Sequence, residues 1–188
     1  MKKLFLLVLT IVAFSAASYA QGVSFGIKAG VNFANQKYEV DGFSFSPDAR
    51  TGFHVGGFVT AMFSESLGLQ PELIFNSVGA KMDDSSLNMS YLSVPVLIRY
   101  QPIELLNIHV GPQFGFLMGA ESEGDDVKDA FKGLDLGAAF GAGIDLPAGI
   151  GFTARYVLGL SNIYDESDEG TIKNNVFQIS LSYRFGGN

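Results

Sequence analysis

Glu72 is the first residue in this sequence that calls for a chemical explanation. It sits in 67-LGLQPELIF-75, where apolar residues alternate with others and Gln70 and Glu72 interrupt the pattern. A carboxylate held in an apolar stretch is costly unless a cation and hydrogen bonds offset its desolvation. Arginine suits that task, because a planar guanidinium donates two parallel hydrogen bonds to a carboxylate. Arg99, Lys28 and Arg155 have the polar parity of their own segments, as do Asn107, Asp145 and Arg184. We expect Glu72 to face Arg99 across a hairpin, with Arg155 or Lys28 as further donors. Asn107 falls beside Arg99, and Asp145 and Arg184 project inward toward the same end. The chemistry implied is charge pairing in a buried polar network; a proton or ion pathway is the functional alternative.

Hydrolytic chemistry needs a serine beside a histidine that an acid or amide orients. His54 and His109 are the only histidines, they lie on separate segments, and no motif specifies a nucleophile. Two histidines with an Asp or Glu do not specify a metal either. The expectation is a non-enzymatic protein without metal or cofactor.

The elements that position these residues alternate with period two, the signature of half-buried strands. Eight segments emerge: Val23–Asn35, Thr51–Ser64, Leu67–Ala80, Asn88–Gln101, Leu105–Ala120, Lys132–Asp145, Gly149–Ser161 and Asn175–Phe185. Each reaches the roughly 9–11 residues that a tilted strand needs to cross a membrane, beyond the usual five or six of globular strands. Turns near Glu65, 102–104 and 147–148 are short; connections at 36–50, 81–87, 121–131 and 162–174 are long and polar. An even number of antiparallel strands with alternating short and long connections describes an outer-membrane barrel.

One parity is bulky: Val23, Phe25, Ile27, Ala29, Val31 and Phe33 in the first segment, and Phe177, Ile179, Leu181, Tyr183 and Phe185 in the last. The other is small or polar, which suits the narrow interior of an eight-stranded barrel and leaves the bulky face to lipid. A lipocalin-like soluble barrel would invert that arrangement. Pro71, Pro95 and Pro112 lie inside predicted strands, where each removes a ladder hydrogen bond; bulges or kinks would accommodate them.

Composition agrees. The 188 residues include no cysteine, 23 glycines and 17 phenylalanines, so no disulfide staples the fold. At the N-terminus Lys2 and Lys3, an apolar run from Leu4 to Phe14 and 15-SAASYAQ-21 follow the order of a secretory signal peptide. Cleavage is expected before Gln21, leaving residues 1–20 as signal and 21–188 as one barrel domain. Loss of Lys2 and Lys3 leaves 10 basic against 19 acidic side chains, a net charge near −9. Nucleic acid, which requires basic patches, is excluded as a partner. The acid is concentrated in 121-ESEGDDVKD-129 and 165-DESDE-169, read as solvated loop tips.

The pieces 25-FGIKAGVNFAN-35, 69-LQPELIFNSVGAK-81, 91-YLSVPVLIRY-100 and 109-HVGPQFGFLMGA-120, with 135-DLGAAFGAGIDL-146 and 155-RYVLGLSNI-163, resemble the PorT-like outer-membrane β-barrel family of Bacteroidetes-type bacteria. The resemblance covers nearly the whole mature chain and implies an eight-stranded outer-membrane barrel. PorT itself is linked to protein secretion and gliding, and family membership does not extend that role to this chain. The last strand, 177-FQISLSYRF-185, resembles the terminal signal read by the barrel assembly machinery, although Gly186, Gly187 and Asn188 follow its final Phe. The expectation is a monomeric all-β antiparallel transmembrane barrel with a filled polar lumen and a structural or interaction role. Lipid is its first partner; other envelope or secretion proteins are the second. A narrow solute channel, a secretion or gliding component and a lipid-acting enzyme are the rivals.

Overall fold

A computed structural model of the protein describes residues 22–40, 43–45, 48–82, 85–165 and 170–185. The predicted signal segment and the three residues after Phe185 lie outside these. Strands β1 (Val23–Val40), β3 (Asp48–Met62), β4 (Leu67–Met82), β5 (Ser85–Ile103), β6 (Leu106–Ser122), β8 (Leu134–Asp145), β9 (Ile150–Gly159) and β10 (Thr171–Phe185) form the wall. Two short strands, β2 (Phe43–Phe45) and β7 (Asp125–Asp126), extend the ends of β1 and β6. Every wall strand pairs antiparallel with its sequence neighbour, and β10 pairs with β1. The sheet therefore closes into an eight-stranded meander barrel, and closure removes the unpaired edges that lipid does not tolerate.

The strand registers give the stagger. A path across paired residues runs from Val23 through Ala61, Leu69, Ile98, Val110, Phe140, Tyr156 and Phe177, and re-enters β1 at Phe33. That is ten residues from where it began, a shear of ten for eight strands, and it sets the strands at a steep tilt. Residues distant along the chain consequently meet across the bore.

Six of the wall strands run longer than predicted, whereas β8 and β9 are shorter than the expected Lys132–Asp145 and Gly149–Ser161. β1 continues to Val40 and folds back through β2, so the expected loop 36–50 is largely strand. Of the expected loop 81–87, residues 81–82 and 85–87 are also strand, with Met82 paired to Ser85. Alternation weakens there because both faces leave the bilayer; the ladders hold the strands together, helped by Gln36, which donates to Asn174 Oδ1 at 3.0 Å, and by Leu87, packed against the buried apolar cluster. On the opposite rim the turns are tight; in Pro147–Gly149, Ala148 and Gly149 adopt left-handed conformations at φ 67° and 82°. That is natural for glycine and a local strain for alanine.

Side-chain parity follows the prediction. Phe25, Ile27, Val31 and Phe33 are exposed on the outer face, whereas Ser24, Lys28, Asn32 and Gln36 are buried inside. Aromatic rings gather on the outer surface, with Phe185 opposite Phe25 and Tyr183 and Phe185 packed edge-to-face at 5.0 Å. Such rings suit a membrane interface.

The lumen departs from the expectation of a uniformly small, polar interior. Its outer half holds an apolar cluster that includes Met89, Tyr91, Leu117, Val157, Ile163 and Val176. Two outer connections cross above it. The Lys132 N–H donates to Ile163 O at 2.8 Å, and the Phe131 and Tyr164 rings meet edge-on at 6.3 Å. Ile163, on the underside of this crossing, is fully buried. Sealing the mouth needs apolar contact, whereas the membrane-level lumen can pair its charges.

The prolines do not mark bulges. The β3–β4 ladder breaks at Pro71, between the pairs Phe58–Glu72 and Ala61–Leu69, and keeps its register. The β4–β5 ladder breaks at Pro95, between Pro71–Val96 and Ile74–Ser93, and the β5–β6 ladder at Pro112, between Pro95–Gln113 and Ile98–Val110. Register shifts occur elsewhere, between Ala49 and His54, between Ser90 and Tyr91, and between Tyr100 and Ile103. Three adjacent strands thus each lose pairing at a proline without slipping, because closure of the barrel holds the register on both sides.

Candidate functional site: the lumenal polar network

Glu72 lies opposite Phe58 on β4 and points into the lumen, where it is 3 % exposed. Arg155, from β9 across the bore, grips it as a fork: Nη1 donates to Oε2 at 2.7 Å and Nη2 to Oε1 at 2.8 Å. Lys28 Nζ approaches both oxygens, at 3.1 and 3.3 Å, and Gln70 Nε2 donates to Oε1 at 2.7 Å. The carboxylate is saturated, and both cations are buried with it. Phe58 is the bulky inward exception on β3: its ring lies 5.9 Å from Lys28 Nζ, within cation–π range. It occupies the space above Gly26, where a Cβ would come within 2.2 Å of the ring.

The expected Glu72–Arg99 contact is replaced by another. Arg99 pairs in register with Gly68, four residues from Glu72, and its Nη2 donates to Asp145 Oδ2. Its Nη1 donates to Gln70 Oε1 at 3.1 Å, so it reaches Glu72 only through that amide. Asp145 also accepts from Arg184 Nη2 and Asn107 Nδ2, each at 3.0 Å. The two acidic centres are joined by His109, which receives Arg155 Nε at 3.1 Å on Nε2. A guanidinium only donates, so His109 carries its proton on Nδ1 and donates to Asn107 Oδ1 at 3.3 Å. All seven residues expected from sequence, Lys28, Glu72, Arg99, Asn107, Asp145, Arg155 and Arg184, thus fall in one connected floor. Gln70 and His109, the two connectors, were visible only as polar residues of lumenal parity.

A second, uncharged layer lies above, and its core was not legible in the sequence. His54 Nδ1 sits 2.7 Å from Asn32 Oδ1, and His54 Nε2 sits 2.8 Å from Ser180 Oγ. Asn32 Nδ2 donates to Phe53 O, Asn76 Oδ1 and Ser77 O, which makes its Oδ1 the acceptor for His54. Gln178 Nε2 donates to Asn32 Oδ1 and Asn76 Oδ1, both at 3.0 Å. Ser180, His54 and Asn32 therefore stand in the order and tautomer of a serine hydrolase triad. They meet because His54 and Ser180 both register with Gly30, whose missing side chain leaves room for the imidazole. The shared partner Gly30 is the signal that register, once known, turns into a contact.

The constellation lacks what catalysis requires. Ser180, His54 and Asn32 are 3 %, 3 % and 0 % exposed, and the flanking backbone is committed to ladders, so no carbonyl can approach Oγ. What remains is a packed polar layer. A fluorophosphonate probe is expected to leave Ser180 unmodified in the folded barrel, read by intact mass; stoichiometric labelling lost in Ser180→Ala would show that the serine is reachable and activated.

A closed eight-stranded antiparallel barrel, apolar outside and polar within, with tight turns at one rim and folded connections at the other, is the architecture of a bacterial outer-membrane protein. The chain belongs to the outer membrane protein beta-barrel domain family, whose sequence pattern matches residues 6–185. Among solved structures it is similar to Ail, the attachment invasion locus protein of Yersinia pestis. Identity is 16 %, 88 % of this chain and 99 % of that chain are covered, and the TM-score is 0.53. It is also similar to neisserial surface protein A, at 11 % identity, 87 % and 99 % coverage and a TM-score of 0.56. At these identities the likeness is one of fold. Comparison with curated proteins yields no match.

Proposed function

We propose that the protein is a non-conducting outer-membrane barrel that acts through its external rim, in a structural or interaction role. The observation that carries this reading is the filled bore. The floor network spans the lumen, the Asn32–His54–Gln178 layer lies above it, and Ile163 closes the outer mouth. The cavity lined by Asn76, Tyr91, Ser93 and Gln178 is about 20 Å³, room for about one water. Reconstituted in a planar bilayer, the protein is expected to show no discrete conductance steps; reproducible single-channel steps would overturn the reading and favour the channel alternative.

The rim indicates the kind of interaction. Glu121, Glu123, Asp125, Asp126 and Asp129 are exposed around the β6–β7 hairpin with Lys128 among them; 166–169 lie outside the described residues. Ail was crystallised with the heparin analogue sucrose octasulfate, but an acidic rim repels a sulfated ligand and suits a basic surface. Export by the N-terminal signal, with cleavage before Gln21, and kinship with the PorT-like barrels belong to the same proposal. The sequence resemblance supports a place among envelope proteins of that kind, and crosslinking in native membranes tests for a secretion or gliding partner.

A further inference from the structure

We propose that the outer half of the lumen holds one monovalent alkali cation, bound at Asp135. Asp135, on β8 opposite Gly115, is the lumenal carboxylate among the described residues that the floor network does not use. It accepts Asn174 Nδ2 at 2.8 Å and Ser161 Oγ at 3.1 Å. Among the described residues no lysine or arginine pairs with it, in contrast to Glu72 and Asp145. A half-buried carboxylate without a counter-charge is costly, and the cavity beside it offers a place for one. Asp135, Tyr91, Ser93, Gln113, Asn76 and Asn174 contribute to its wall. The Ser93 hydroxyl, on a residue 2 % exposed, and the Gln113 amide make no hydrogen bond among the described residues, so both have oxygen lone pairs to give.

The chemistry of the wall selects the ligand. Oxygen donors suit hard cations, and divalent sites recruit several carboxylates or keep several waters. Here one carboxylate stands among neutral oxygens, in space for one water-sized occupant, which matches a single positive charge. Sodium or potassium at this point would neutralise Asp135 and tie β4, β5, β6, β8 and β10 together beneath the Ile163 seal. It would act as a fixed part of the plug.

The test is the melting midpoint of the folded barrel in neutral detergent, in sodium, potassium, choline or N-methylglucamine chloride at equal ionic strength, which holds screening constant. A saturable rise of about 3 °C in sodium or potassium over the organic cations is expected, the size of a tenfold-saturated site in a chain of this length. Asp135→Asn should abolish the difference, and Asp129→Asn, on the exposed rim, should retain it. Ser93→Ala, which keeps the carboxylate and removes one oxygen, should raise the half-saturating concentration severalfold, and it serves if Asp135→Asn does not fold. Equal midpoints in all four chlorides, or a difference that survives in Asp135→Asn, would overturn the proposal and leave water as the occupant. Neither result bears on the conductance test.

Discussion

Glu72→Leu is expected to strip the barrel of most of its resistance to heat and urea. The substitution leaves Arg155 and Lys28 buried with no carboxylate, and it deprives Gln70 of its acceptor. Breaking one buried pair typically costs about 3–5 kcal/mol, a large part of the roughly 5–15 kcal/mol that holds a domain folded. Two cations are orphaned here, and the floor already carries Lys28, Arg99, Arg155 and Arg184 against Glu72 and Asp145. The readouts are the fraction migrating as the compact form on unboiled gels and the urea midpoint. Removing the partner as well, in Glu72→Leu/Arg155→Leu, should recover part of the loss, since an apolar pair in place of an ion pair leaves less charge exposed to the low-dielectric interior. A Glu72→Leu barrel as resistant as the parent would mean that the floor is not held by this carboxylate.

The neighbouring residue provides the second large effect by the opposite logic. Leu73 is 54 % exposed on the lipid face, six residues from the start of β4 and near mid-membrane at the strand tilt. Leu73→Arg should cost about 2–4 kcal/mol, the penalty for arginine on the lipid face at the midplane, and lower the yield of folded protein in bilayers. Leu67→Arg, at the β4 end where the chain meets the interface, should cost about 1 kcal/mol or less. Refolding in bilayers under urea titration measures both. If arginine is tolerated equally well at 73 and 67, the outer face is not in lipid at this height.

The pair also shows how much of the fold the sequence carries. Period two is a property of neighbouring residues, so Glu72 could be assigned inward and Leu73 outward without knowledge of any contact. The same local pattern separated Ser24, Lys28 and Asn32 from Phe25, Ile27 and Val31, and the structure follows it. Alternation faded wherever a strand left the bilayer, which is why β1 beyond Asn35 and the 81–87 segment read as loops. Phe58 and the apolar outer half of the lumen were illegible for another reason. They answer the space left by Gly26 and the need to seal the mouth, and both arise from residues far away in sequence.

From its own order of residues this chain determined the number of wall strands, the inward and outward parity along most of them, the rim that carries the acid of 121–129, and seven polar residues of the bore, Asp135 not among them. Only the closed tertiary structure decided who meets whom. A shear of ten brings residues of β9 and β4 to one height, so Glu72 takes Arg155 and Lys28, while Arg99 goes to Asp145. The same closure sets His54 and Ser180 on either side of Gly30 and leaves Asp135 above the floor with neutral donors, Asn174 and Ser161, and no paired lysine or arginine among the described residues. Parity is fixed by adjacent peptide units, whereas pairing depends on the sum of every register around the barrel, and no single strand contains that sum.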